Sequence, residues 1–202
     1  MSFKSIHGKL ISFEDFLESL KNLTRKQATL LMGIDGCGGS GKSTFARELV
    51  KSDSSIEIVH MDDFYLPYHL RINSKAIFKP VGADFDWQRL REQVLKPLKK
   101  DRVGYYSRYD WGTDRLAEWH IVPVGGMVVV EGVYVLRKEL AEFYDYKIWV
   151  DCPREIRLAR GVERDGEPAR EAWESNWMVA EDKYVREQLP FERADLIVDG
   201  SE

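Results

Sequence analysis

Apolar residues recur along this chain in two kinds of pattern, and the first is the spacing of an α-helix. In residues 13–23 they stand three or four positions apart and follow Ser12, a residue type that caps helices, so we expect a helix there. The same spacing returns over residues 84–100, 153–164 and 171–188. These segments are predicted to form the helices that cover a sheet.

The second pattern is a short, continuous apolar run without alternation. Such runs are typical of strands that are buried on both faces of a parallel sheet. Because the runs alternate with helical segments, we expect an α/β fold with a mostly parallel, five-stranded sheet, and a single domain over residues 1–202. The runs lie at residues 28–34, 127–130 and 146–150, and residues 56–61 and 195–198 are two further strand candidates.

Three segments depart from this alternation. Residues 102–124 show β-rich alternation on both sides of residues 111–114, which predicts a small β-hairpin insertion. Residues 157–170 begin with helical spacing but contain two glycines and a proline, which would interrupt a purely structural helix, so we expect a helical lid. Residues 66–83 have few periodic apolar positions and are expected to form a loop.

Composition restricts the class of protein. With 202 residues, of which 44% are hydrophobic and 32% charged, the chain can form one well-cored domain. Its net charge of -4 argues against a general nucleic-acid binder. The chain has no apolar run of membrane-spanning length, and residues 1–10 lack the apolar core of a signal peptide, so we expect a soluble, cytoplasmic protein without a membrane partner. Cys37 and Cys152 match no zinc spacing or disulfide framework. Association into a homo-oligomer stays open.

Residues 36–43 (GCGGSGKS) fill the pattern G-x-x-x-x-G-K-S/T between a predicted strand and a predicted helix over residues 44–51. A triphosphate needs backbone N–H groups at close range, and glycine lets the chain wrap that tightly. The N-terminus of the helix that follows also favours an anion. The predicted nucleotide-binding residues are Gly36, Gly38, Gly39, Ser40, Gly41, Lys42, Ser43 and Thr44.

Two of these residues have a more specific expected role. Lys42 is predicted to be catalytic because it places a positive charge at the β- and γ-phosphates. Ser43 offers a hydroxyl to Mg²⁺, a cation that prefers oxygen ligands. The sequence therefore predicts ATP and Mg²⁺ as ligands. The alternative, a flexible glycine turn followed by a chance Lys-Ser pair, leaves the flanking strand and helix unexplained.

Acidic residues stand at the ends of several predicted strands, including Asp35, Asp62 and Glu131. Ligands of an open parallel sheet lie outside the carboxyl ends of its strands. We expect Asp62 to be the general base with a share in metal binding, and Glu131 to organise the metal. The alternative is that either acid only caps a neighbouring turn. Three nearby residues are expected to have structural roles: Asp63 and Asp151 in loops or caps, and His60 as a packed strand residue.

Arg157, Arg160 and Arg164 stand three and four positions apart, so they share one helix face. A solvated basic face is one interpretation. The other is that the helix belongs to the lid, where arginines stabilise the charge that develops on a transferred phosphoryl group. We expect the lid, with Arg160 and Arg164 as catalytic residues.

Seven motifs together resemble one family. They are GCGGSGKS (36–43), MDDFY (61–65), ADFDW (83–87), YDWGTDR (109–115), VVVEGVY (128–134), RLARGVERD (157–165) and LPFERADLIV (189–198). In this order, they resemble the uridine kinase-like branch of P-loop small-molecule kinases, which also contains phosphoribulokinase and pantothenate kinase relatives. The glycine loop alone is shared by many NTPases, whereas the ordered set is far more specific and extends over most of the chain.

The resemblance implies a P-loop NTPase three-layer sandwich with a five-stranded parallel sheet and an arginine-bearing lid. It also implies transfer of the ATP γ-phosphate to a hydroxyl of a small-molecule acceptor. By the same resemblance, Asp62 is the catalytic base, Glu131 helps to bind Mg²⁺, and Arg160 and Arg164 are the lid arginines.

The expected acceptor site departs from the nucleoside kinases. Where the resemblance implies an acid and a histidine that contact a nucleoside, this chain has Lys79 and Asp114. A site built on hydrogen bonds discriminates strongly, so the acceptor need not be a nucleoside. We expect Tyr65, Lys79, Tyr109 and Arg115 to bind the acceptor, with Lys79 and Arg115 favouring an anion.

Two other functions remain as alternatives at this stage. One is an ATP-binding regulatory switch or NTPase that acts on a protein partner, and the other is a nucleic-acid remodelling NTPase. A switch needs no base for a substrate hydroxyl, so Asp62 favours the kinase. The charge balance argues against nucleic acid.

Overall fold

A computed structural model describes residues 3–5 and 10–201, and within them the strands form two separate sheets. Part of the N-terminal segment on which the signal-peptide expectation rests, residues 1–2 and 6–9, lies outside the described residues. The strands are β1 (Phe3–Ser5), β2 (Leu10–Ile11), β3 (Leu30–Asp35), β4 (Glu57–His60), β5 (Gly104–Asp110), β6 (Arg115–Val122), β7 (Met127–Glu131), β8 (Tyr146–Asp151) and β9 (Leu196–Asp199).

The larger sheet has the strand order β2-β1-β9-β8-β3-β7-β4. Its five strands from β9 to β4 are parallel, which confirms the predicted mostly parallel, five-stranded sheet. Every residue of β3 is buried, as expected for a strand covered on both faces. The short edge strands β1 and β2 add antiparallel pairs that the sequence patterns did not predict.

The helical segments cover both faces of this sheet. They are α1 (Phe13–Lys21), α2 (Lys42–Ser52), α3 (Trp87–Leu90), α4 (Lys96–Leu98), α5 (Lys138–Ala141), α6 (Arg154–Asp165), α7 (Arg170–Ala172) and α8 (Met178–Gln188). A π-helical turn at Arg91–Leu95 joins α3 to α4, and another at Trp173–Trp177 joins α7 to α8. The π-turns were not predicted.

Two apolar clusters build the three layers. On one face α1 and α2 pack through Phe16 and Phe45 against Met32 and Ile34 of β3. The opposite face is covered by the segment from α3 to α4, by α8 and by the β5–β6 hairpin. At the N-terminus of α1 the Ser12 hydroxyl accepts a hydrogen bond from the backbone N–H of Asp15 at 3.0 Å, the predicted cap.

The hairpin and the long loop before it lie beside the carboxyl ends of the parallel strands. The strands β5 and β6 form their own antiparallel sheet, as predicted, and the Tyr106 ring packs 4.9 Å from that of Phe64. The loop contains two 3₁₀ turns, Tyr68–Leu70 and Ala76–Phe78. Among the residues that the structure describes, no helix combines the length and apolar character needed to cross a membrane.

Candidate active site

The glycine-rich loop follows β3 and enters α2 directly. Gly39 (φ 76°) and Gly41 (φ 99°) adopt left-handed backbone angles that favour glycine. A Cβ at Gly39 would overlap the backbone of Arg157, so the loop has no room for a larger residue there. Because the loop is this tight and leads into the N-terminus of an 11-residue helix, its shape fits a phosphate group.

Lys42 is buried in the first turn of α2 and reaches back across the loop. Its Nζ donates a hydrogen bond to the carbonyl oxygen of Cys37 at 2.9 Å. This contact holds the ammonium group over the loop, where a bound phosphate would need positive charge. Ser40 is also buried, whereas Ser43 and Thr44 are exposed to the cleft in front of the loop.

Ser43 and Glu131 form the best candidate for holding Mg²⁺. The Ser43 hydroxyl lies 3.3 and 3.2 Å from the two carboxylate oxygens of Glu131, which ends β7. Burial alone would raise the pKa of Glu131, but the hydrogen bond to His60 and the charge of Lys42 outweigh it and hold the pKa below its ordinary value. An ionised carboxylate beside a hydroxyl is a donor set that suits Mg²⁺.

Within the described residues, no group of three His, Cys, Asp or Glu side chains could enclose a metal ion. Mg²⁺ usually keeps several waters and takes its remaining ligands from one or two carboxylates and substrate phosphates. The Ser43–Glu131 pair therefore fits a magnesium ion that arrives with a nucleotide.

His60 occupies a position that the sequence patterns misassigned. It ends β4, its side chain is 51% exposed, and its Nδ1 lies 2.7 Å from Oε1 of Glu131. The prediction of a packed strand residue is therefore wrong. The hydrogen bond to Glu131 raises the pKa of His60, while partial burial opposes the rise.

Asp62 follows His60 in a 3₁₀ turn at the end of β4. Its carboxylate lines the same cleft as Lys42, Ser43 and Glu131. Desolvation by the surrounding protein raises the pKa of Asp62, and the negative charge of Glu131 raises it further. The positive charge of Lys42 opposes the rise. A raised pKa makes the carboxylate a stronger base, which suits the role of a general base.

Two other acids, the predicted strand-end residue Asp35 and the predicted loop residue Asp63, have structural contacts behind the site. Asp35 is fully buried and accepts hydrogen bonds from the backbone of Gly36 and Leu136, at 2.6 Å each, and from the Tyr184 hydroxyl at 2.7 Å. Asp63 accepts a hydrogen bond from the Tyr106 hydroxyl at 2.8 Å. These carboxylates anchor the starts of two loops that form the cleft.

Of the four arginines on α6, two line the cleft. Arg160 donates to the backbone carbonyl oxygens of Gly39 and Ser201, at 3.4 and 3.2 Å. Arg164 pairs with Asp165 at 2.7 Å. Arg157 is instead buried under the loop.

The cleft has a volume of about 1330 Å³ and extends from the glycine loop to the segment before α3. Of the predicted acceptor residues, Tyr65 and Lys79 line it. Lys79 Nζ is paired with both oxygens of Asp84, at 2.8 and 2.9 Å. This pairing neutralises Lys79, so the structure does not support the expected preference of Lys79 for an anion.

The other two predicted acceptor residues lie outside the cleft lining. Tyr109 is buried with its ring 5.5 Å from that of Tyr65, and its hydroxyl donates to Asp114 at 2.6 Å. Arg115 starts β6 and is exposed. Tyr109 therefore contacts two residues of the cleft lining, Tyr65 and Trp111, without lining the cleft itself, and Arg115 lies outside the lining.

Trp111 was part of the YDWGTDR motif but was not singled out from the sequence. Its ring stacks on Tyr65 at 4.6 Å with an interplanar angle of 29°, and it lines the cleft with 58% of its surface exposed. The guanidinium group of Arg71 also lies over the Tyr65 ring, 5.0 Å from its centre, and donates a hydrogen bond to Asp114 at 3.2 Å. The high aromatic content of the hairpin was the one sequence feature that could have pointed to this pair of aromatic rings, Tyr65 and Trp111, in the cleft lining.

Comparison with known proteins adds an independent finding. The model of the phosphoribulokinase / uridine kinase family matches residues 31–200. The uridine kinase of Clostridium novyi is 35% identical over 145 residues, which are 67% of this chain and 68% of that protein. The uridine kinase of Ureaplasma parvum serovar 3 is 28% identical over 158 residues, covering 74% of this chain and 75% of that protein. The solved structure of a possible uridine kinase from Bacillus stearothermophilus is 27% identical, with a TM-score of 0.71 over 92% of this chain and 96% of that one.

Proposed function

This chain belongs to the phosphoribulokinase / uridine kinase family, and on that premise we propose that it transfers the γ-phosphate of ATP to a hydroxyl group of a small molecule. The observation that carries the proposal is that Lys42, Asp62 and Glu131 line one cleft. A phosphate loop, a candidate base and a candidate metal ligand are the parts that phosphoryl transfer needs.

On this proposal the loop amides and Lys42 receive the phosphates, while Ser43 and Glu131 hold Mg²⁺. When bound, the metal ion neutralises the charge of the phosphate oxygens. Asp62 accepts the proton of the acceptor hydroxyl as its oxygen bonds to the γ-phosphorus. The bond from that phosphorus to the bridging oxygen breaks in the same transfer, and ADP leaves with the electron pair.

The lid supplies positive charge on the opposite side of the cleft. Arg164 lies close enough to Asp62 for its charge to lower the pKa of that acid. We expect Arg160 and Arg164 to stabilise the charge on the transferred group, because guanidinium groups donate several parallel hydrogen bonds. To do so, Arg164 would exchange part of its contact with Asp165.

We infer that the acceptor lies between Asp62 and the wall formed by Tyr65 and Trp111. The Lys79–Asp84 pair offers both a donor and acceptors of hydrogen bonds, which suits hydroxyl groups better than a carboxylate or phosphate. Exposed aromatic rings beside such a pair suit the apolar face of a sugar ring, either a free sugar or the ribose of a nucleoside.

The test is phosphate transfer by the purified protein with ATP, Mg²⁺ and a panel of nucleosides, free sugars, polyols and hydroxy acids. We expect one class to give acceptor-dependent ADP release and a phosphorylated product visible by mass spectrometry. The Lys42→Ala variant serves as the control without productive ATP binding. If ATP is hydrolysed at the same rate with every acceptor and no product forms, the kinase proposal fails, and the alternative of an NTPase acting on a protein partner takes its place.

A further inference from the structure

Glu181 in α8 is a buried carboxylate that contacts the phosphate-binding loop. Its Oε1 accepts a hydrogen bond from the backbone N–H of Gly38 at 2.9 Å. Its Oε2 accepts from Nη1 of Arg157 at 3.2 Å, and the two side chains are only 7% and 8% exposed. One carboxylate therefore joins three elements: the glycine loop, the first part of the lid helix α6, and α8.

Arg157 is itself fixed in this arrangement. Its Nε donates to the carbonyl oxygen of Cys152 at 3.1 Å, just after β8. Its backbone lies so close to Gly39 that a Cβ on that glycine would overlap it. Glu181 and the backbone of Arg157 thus lie against successive residues of the loop, Gly38 and Gly39, and the two side chains are joined by a hydrogen bond.

Burying the charged carboxylate of Glu181 would destabilise the folded protein if its hydrogen bonds were not formed. Burial raises the pKa of Glu181, while the Lys42 charge, the Gly38 N–H and the Arg157 charge oppose the rise and the Asp182 charge adds to it. A buried ion pair is seldom more stabilising than apolar residues of the same volume. What this pair provides and apolar side chains could not is a fixed direction for the Gly38 N–H.

Other contacts of α8 are made with segments that border the cleft. The Tyr184 hydroxyl donates to Asp35, the residue that precedes the glycine loop. Lys183 donates to the backbone carbonyl oxygen of Ile77 at 3.0 Å, in the loop before α3. Glu181 and Tyr184 therefore contact the middle and the start of the glycine loop, and through them α8 fixes the position of that loop.

We propose that Glu181 is a positioning residue for nucleotide binding, which fixes the Gly38 amide and with it the shape in which the loop receives the triphosphate. The proposal rests on the proposed function, because it assumes that the loop binds ATP. Glu181 acts through Gly38 rather than on the reacting atoms. Its loss should therefore weaken ATP binding more than it slows transfer from the bound state.

The test compares Glu181→Ala with Glu181→Gln in equilibrium titrations with ATP and Mg²⁺, in which binding is measured by calorimetry. In the alanine variant we expect the Kd for ATP to rise about tenfold or more, the effect of one lost charge-assisted hydrogen bond. The glutamine variant keeps an oxygen that can accept from the Gly38 N–H, so its Kd should stay within about threefold of the wild-type value. Glu187→Ala is the matched control, because Glu187 lies on the same helix, is about half exposed and forms an ion pair with its exposed neighbour Arg186 at 3.8 Å.

Thermal melting of each variant separates unfolding from loss of binding. If the alanine variant does not fold, Glu181→Asp takes its place, because the shorter side chain keeps the charge but cannot reach both partners. The proposal is overturned if the folded variant binds ATP as well as the wild type, or if it binds more tightly, which would make the carboxylate a competitor of the phosphates. It is also overturned if glutamine is as damaging as alanine.

The same titrations distinguish this inference from the proposed function. ATP binding needs no acceptor, so a protein that binds ATP but phosphorylates nothing in the panel would end the kinase proposal and leave the Glu181 result standing. A wild-type protein that binds no ATP would overturn both. Where an acceptor is found, the alanine variant should raise the KM for ATP and leave the KM for the acceptor unchanged.

Discussion

The hydroxyl oxygen of Ser43 lies 3.2 Å from Oε2 of Glu131, although the two residues are 88 positions apart in the chain. The sheet order brings them together. Strand β7 lies between β3 and β4, so its last residue ends between the glycine loop and the turn that carries Asp62. The candidate metal ligand, the glycine loop and the candidate base are thus positioned by one strand and its two neighbours.

The first prediction concerns Glu131. Replacing it with glutamine removes the ionised ligand but keeps the side-chain volume, so the Mg²⁺ concentration for half-maximal activity should rise about tenfold, a typical cost of disturbing a metal ligand shell. Activity measured against free Mg²⁺ concentration tests this. The control is Glu57→Gln, because Glu57 is exposed at the start of β4, away from the cleft end of that strand. This variant should leave the curve unchanged. An unaltered Mg²⁺ dependence in Glu131→Gln would remove this residue from the metal site.

The second prediction concerns Asp62. The Asp62→Asn variant cannot accept a proton from the acceptor, so kcat should fall by ~10² to 10⁴-fold, the range for a lost general base, with little change in the Kd for ATP. Stopped assays of product and calorimetric ATP titrations measure the two quantities. The control is Asp63→Asn at the adjacent acid, where asparagine can still accept the Tyr106 hydrogen bond. Full turnover by Asp62→Asn would require a different base.

How far the sequence predicts this site depends on which contacts are local. The glycine loop is recognisable because its function is encoded in eight consecutive residues, and strand ends place Asp62 and Glu131 at the same edge of the sheet. The contact of His60 with Glu131 depends on the register of two strands about seventy residues apart, which no local pattern specifies.

Two ion pairs could not be predicted for a similar reason. Helical spacing placed Arg157 on one face with Arg160, but its partner Glu181 belongs to another helix, and only the packing of α6 against α8 buries both. Lys79 looked free to bind an anion because its partner Asp84 is supplied by the fold of the loop. An ion pair between residues that are not three or four positions apart on one helix leaves no signal in the sequence.

The third prediction is a pH dependence of stability. Burial raises the pKa of Asp35 from its ordinary value of 3.8 to about 6. The folded state therefore holds this proton at pH values where the unfolded state has lost it, and the contribution of Asp35 to the free energy of unfolding decreases as pH rises from 3.8 to 6. Asp35→Asn lacks this titration. The difference in free energy of unfolding, wild type minus variant, should fall by about 2 kcal/mol over that range.

Urea denaturation of both proteins at several pH values between 4 and 7 measures that difference. Since the other carboxyl groups titrate alike in the two proteins, their contributions cancel in the subtraction. A difference that stays constant with pH would mean that Asp35 is ionised in the folded protein throughout this range.

The fourth prediction concerns the aromatic wall. Trp111 stacks on Tyr65 and faces the cleft, so Trp111→Ala should raise the KM for the acceptor about tenfold, the loss expected for one aromatic contact and its buried area, and leave the KM for ATP unchanged. Trp119→Ala is the matched control, because Trp119 is on the same hairpin, is 64% exposed and does not line the cleft. Steady-state kinetics with each substrate varied in turn measures both constants. If Trp111→Ala raises the KM for ATP instead, the nucleotide and the acceptor occupy the opposite ends of the cleft from those assigned above. If neither KM changes, the acceptor binds away from this wall, and the search for its site moves to the segment around Lys79 and Asp84.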